Sequence, residues 1–96
     1  MKMTRSSGNV FADLGFDKET AENLRLRADL MIELREVIQR KGLTQGQAAK
    51  LFGVSQPRIS DLVRGKIALF TIDMLVNMLA RAGKKVVLQT KRKKAA

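Results

Sequence analysis

The stretch LTQGQAAKLFGVSQPRISDLVRGK, Leu43 to Lys66, decides the fold, because it packs two helix starts and two helix stops into one short span. Thr44 with Gln47 three residues later has the form of a capping box, in which hydroxyl and carboxamide each satisfy a backbone amide. The first helix therefore begins at Gln45. Gly53 stops it, since a left-handed residue at a helix end is nearly strain-free only for glycine. Ser55 caps a second helix whose first turn holds Pro57, where a missing amide hydrogen does least harm, and Gly65 closes it.

At about 100° per residue the second helix sorts its side chains cleanly. Ile59, Leu62 and Val63 fall on one side, Gln56, Pro57, Ser60, Asp61 and Arg64 on the other, and Arg58 at the border. The apolar side is expected to pack on the first helix, where Ala49 permits a close crossing and Leu51 and Phe52 supply bulk. The polar side faces outward. Gln bonds adenine through two edges, Ser serves either base type, and Asp accepts from a cytosine amine, so this side has the chemistry of base-edge recognition in a DNA major groove. Arg64, Lys66 and the start of the first helix at Gln45 suit phosphates. The candidate DNA-binding set is Gln45, Gln56, Pro57, Arg58, Ser60, Asp61, Arg64 and Lys66.

Composition narrows the alternatives. A chain of 96 residues makes one small domain, for which dimer formation would add stability. Cys and His are both absent, which excludes disulfides, a Ser–His–Asp triad, a Cys–His pair and an ordinary zinc site. Asp61 and Asp73 are isolated acids with no matched base, so no enzyme activity and no cofactor are expected. The start, MKMTRSSGNVF, lacks the apolar run of a signal peptide, and no stretch approaches the ~20 apolar residues of a membrane span. A soluble, cytoplasmic protein is expected.

The net charge of +10 is uneven: residues 1–36 carry −1 and residues 37–96 carry +11. A localised positive field draws in a polyanion and makes affinity depend steeply on salt. Trp and Tyr are absent, and Phe11, Phe16, Phe52 and Phe70 sit among core-like neighbours, so base stacking on single strands is not expected. Duplex DNA is the better partner.

Residues 1–8 are polar and aperiodic and read as a disordered N-terminus, ahead of a helix-turn-helix domain over 9–83. Asn9 caps a short turn through Val10, Phe11 and Leu14, a small apolar knob that packs before the main helix. Asp17 caps a long pattern running to Lys41 and stopped by Gly42. Leu24, Ala28, Leu30, Met31, Ile32, Leu34, Val37 and Ile38 give it an apolar surface broad enough for more than one contact, with Glu19, Glu22, Arg25 and Arg27 exposed. Its spacing fits either two helices or one rod of about 36 Å. Thr71 caps a core helix through Met74, Leu75, Met78 and Leu79, with Asp73 suiting its dipole. The alternation of KKVVLQT reads as a strand over 84–90, and with no second strand in the chain it would pair with another chain or fray. Residues 91–96 read as a basic tail. The fold class is thus all-α, a five-helix domain with a helix-turn-helix and a short C-terminal β-strand.

On Leu43 to Lys66 the chain resembles the Cro/C1-type, phage-repressor-like helix-turn-helix family, also called XRE, with Gln45, Ala49, Gly53, Gln56 and Gly65 at its marked positions. In that family the residues matching Gln45 and Gln56 cooperate, one holding a phosphate and bracing the other against a base. Pro57 stands where many relatives have a polar residue, which implies an apolar or missing base contact. Over NVFADLGF, AENLRLRADLMIELREVI, the central motif and LVNMLARAGKKVVL, from about Asn9 to Leu88, the whole chain is similar to the HigA-type antitoxins. This resemblance implies a homodimer that represses its own palindromic operator and neutralises a RelE/HigB-like toxin by direct contact. Two other readings stand beside it: a stand-alone transcription regulator, and a protein-interaction module that keeps the helix-turn-helix as scaffold.

Overall fold

The computed structural model describes residues 9–92, so the expectations placed on residues 1–8 and on the last four residues of the basic tail lie outside the described part. Five α-helices follow in order: α1 (Val10–Asp13), α2 (Lys18–Lys41), α3 (Gln45–Phe52), α4 (Gln56–Val63) and α5 (Ile72–Arg81). A 3-10 turn at Ile67–Leu69 joins α4 to α5. The residues expected to cap these helices do so. Asn9 accepts from the amides of Phe11 and Ala12, Thr44 and Gln47 form the complete capping box, Ser55 accepts from Arg58, and Thr71 from Met74.

The long pattern is one helix. No glycine or proline interrupts residues 18–41, so the hydrogen-bond ladder runs unbroken from the Asp17 cap to Gly42, which adopts φ +61°. Along this rod Leu30, Leu34 and Val37 join Ala48, Phe52, Ile59, Leu62, Phe70, Leu75 and Leu79 in a single core, against which α5 lies along α2. Burial of such side chains contributes about 1.5–3 kcal/mol each before entropy is counted.

Asp17 accepts the Thr20 amide at 2.8 Å, and this bond to the charged form holds its carboxyl below the ordinary value. A depressed folded-state pKa stabilises above the unfolded pKa, and the gain is lost as pH falls through the folded value. The wild type should therefore melt above the Asp17→Ala variant near neutral pH, and the two Tm values should converge as pH falls below the ordinary carboxylate range. A gap independent of pH would show that the cap does not act through its charge.

Several expectations are corrected. Residues 84–90 form no strand. Among the described residues there is no second strand to supply a ladder, and Val87 alone carries an isolated bridge. Val86 instead packs against the core, leaving Val87 and Leu88 exposed. Phe52 and Phe70 are core residues, but Phe16 is 47% exposed and meets Phe11 edge-on at 6.3 Å between centroids. The knob at α1 is thus only partly packed, with Val10 and Leu14 also in solvent. Arg27, expected to be solvated, donates through Nη1 to the carbonyls of Ile67 and Phe70, each at 3.2 Å. Arg25 is likewise half-buried and bridges Glu22 and Asp29, which raises its pKa, the bond to Glu22 contributing most.

Candidate nucleic-acid interface

α3 and α4 meet at the turn through Gly53, whose φ of +71° only glycine takes without strain. The Arg81 side chain from the last turn of α5 lies directly over this glycine, so closely that a Cβ there would fall 2.6 Å from its Cζ. The backbone alone requires glycine here, since the exposed Arg81 side chain is flexible and could swing aside. On α4, Ile59 and Leu62 are fully buried, while Gln56, Pro57 and Arg64 are exposed and Ser60 and Asp61 half-buried along the outward side. Val63, expected on the packed side, is 42% exposed, because its position at the edge of the apolar arc leaves it next to the outward face.

Gln45 and Gln56 each open a helix and both are exposed. The Gln56 carboxamide lies beside the first turn of α3: a methyl group on Gly46 would sit 3.7 Å from its Nε2, an ordinary contact that alanine could also make. No hydrogen bond joins Gln45 to Gln56 among the described residues.

The cations divide into two groups. Arg64 is exposed and makes no ion pair among the described residues. Lys66 reaches Asp61 at 4.0 Å, and its backbone amide donates to the Asp61 carbonyl at 3.0 Å, which folds the segment after α4 back toward the helix. Arg58 turns inward. Its Nη1 donates to the Leu69 carbonyl at 3.0 Å and its guanidinium stands over the Phe70 ring, 5.4 Å from the centroid. With Arg27 on the carbonyls of Ile67 and Phe70, two guanidinium groups from different helices hold the 3-10 turn. Sequence reasoning missed the Arg27 clamp and the Arg81 lid over Gly53, since neither depends on local spacing.

Among the described residues no cluster of three His, Cys, Asp or Glu side chains is placed to hold a metal ion, and no helix is long and apolar enough to cross a membrane. What the geometry presents is a small helical domain with a helix-turn-helix, its second helix polar outward and basic at its end. The chain belongs to the helix-turn-helix domain family, which it matches over residues 10–91. It is of the XRE type: it is similar to a solved structure named "Putative XRE Family Transcriptional Regulator", with 30% identity and a TM-score of 0.73, over 80% of this chain and 90% of that one. No curated protein sequence matches it.

Proposed function

We propose that this chain is a sequence-specific, double-stranded DNA-binding repressor that acts as a homodimer on a palindromic operator. The observation that carries this reading is α4 itself, which buries Ile59 and Leu62 completely and turns Gln56, Pro57, Ser60 and Arg64 outward. The charge distribution supports it, since residues 37–96, which contain the motif, carry +11. Two such helices related by a twofold axis would enter successive major grooves about 34–36 Å apart.

Each contact has an expected signature. Gln56→Ala should cost about 1–3 kcal/mol at one base position, while Arg64→Ala should weaken all sequences alike and lower the salt slope by about one. Quantitative footprinting over the protein's own promoter measures both. If both variants protect DNA as the wild type does, the outward face of α4 is not in the groove.

The finer reading is that the repressor is the autoregulating antitoxin of a type II toxin-antitoxin module and neutralises a RelE/HigB-like toxin. The whole-length resemblance from Asn9 to Leu88 supports it, and the test is co-expression with the product of the adjoining reading frame followed by purification of a complex. The similar solved structure, named only as a transcriptional regulator, favours the alternative of a stand-alone XRE-type regulator. An adjoining frame that encodes no small basic protein decides for that alternative.

A further inference from the structure

In a protein with a net charge of +10, one end has the opposite character. Over residues 9–24 the acids Asp13, Asp17, Glu19 and Glu22 outnumber Lys18, and although Arg25 of the next turn pairs with Glu22, Asp13, Asp17 and Glu19 leave this end acidic. The same segment leaves three large apolar side chains in solvent: Val10 at 59%, Leu14 at 69% and Phe16 at 47% exposure. Phe11 packs edge-on against Phe16 and also lines a mostly apolar groove of about 340 Å³ with Met31 and Ile32 of α2 and Ile67 of the 3-10 turn, a groove whose far side is formed by Arg35 and Gly65. The exposed knob therefore runs into a concave apolar surface. Clustered apolar side chains with a charged rim mark contact surfaces more often than they mark stability.

We infer that α1 and the first turns of α2 form the docking surface for a basic protein, a partner whose apolar cleft is flanked by Lys and Arg. The inference rests on the antitoxin reading and names the face that the toxin meets. Charge complementarity selects this occupant. The acids repel nucleic acid and anionic lipid surfaces alike. A second copy also carries basic side chains away from α4, Lys41 and Lys50 among them, so contact between copies is the competing outcome that the test separates.

The test uses the full chain and the protein encoded by the adjoining reading frame. Binding of that protein should fall about 30-fold or more in the triple variant Val10→Ser, Leu14→Ser, Phe16→Ser, as expected for loss of apolar anchors. The double variant Asp13→Lys, Glu19→Lys should also bind more weakly and respond less to salt. Both variants should hold the operator as the wild type does, which also reports that they fold. Full retention of the partner by the triple variant overturns the docking surface and leaves the antitoxin reading standing. Loss of the dimer in either variant while its helical circular dichroism is unchanged overturns it as well, by making the knob a contact between copies. Failure of the wild type to bind the neighbouring protein removes the antitoxin reading and this inference together.

Discussion

Replacing Phe70 by alanine should remove about 3–5 kcal/mol of folding stability, because the ring is a fully packed core element with no water to take its place. Phe70 is 1% exposed and joins α2, α4 and α5 residues in the core. It also receives the Arg58 guanidinium on its face, a contact that adds about 0.5–1 kcal/mol near the surface. A domain of this size has about 5–15 kcal/mol in total, so the variant should unfold at a far lower urea concentration. Phe70→Leu, which keeps most of the volume, should cost far less, about 1.5 kcal/mol or below. Phe16→Ala provides the contrast, since that ring is half-exposed and keeps only its edge contact with Phe11, so its loss should cost far less, about 1 kcal/mol. Equal losses at Phe70 and Phe16 in urea titrations would contradict the division between core and knob.

That division marks where the sequence could be read and where it could not. Helix starts at Asn9, Asp17, Thr44, Ser55 and Thr71 were legible, because a cap acts within four residues and its partners are fixed by spacing. The outward side of α4 was legible for the same reason, since Ile59 and Leu62 share a face by helical period alone. KKVVLQT misled, as its alternation is a local preference while a strand needs a partner that local pattern does not provide. Phe16 misled in a related way, for hydrophobicity states a preference for burial and not whether the fold has room for the ring. At the candidate interface, Arg58 and Arg27 look in sequence like two more surface cations, and only the path of the 3-10 turn turns them inward. Charge is a property of composition, but the carbonyls that recruit it are supplied by tertiary structure.

Arg27→Met should therefore destabilise the protein by about 2–3 kcal/mol, although nothing in the spacing of α2 separates Arg27 from its solvated neighbours. Its Nη1 serves the carbonyls of Ile67 and Phe70 and its Nε donates to Asn23 Oδ1 at 2.7 Å, so one planar group fastens α2 to the turn after α4. Methionine preserves much of the stem's packing and removes all three bonds, which isolates the contribution of the guanidinium. Arg27→Lys should recover only part of the loss, since an ammonium lacks the fork that reaches both sides at once. The turn follows directly on Gly65 and Lys66, so the proposed phosphate contact at Lys66 is set by the same clamp. The Arg27→Met variant should accordingly weaken binding to every operator sequence by a similar factor while its preference among bases, set by Gln56 and Ser60, is unchanged. Binding titrations on the operator and on single-base variants, read beside thermal melts, separate these effects. A variant that loses stability yet binds all sequences with wild-type affinity would place the turn outside the interface, with Arg58 alone on the Leu69 carbonyl sufficient to keep α4 in position.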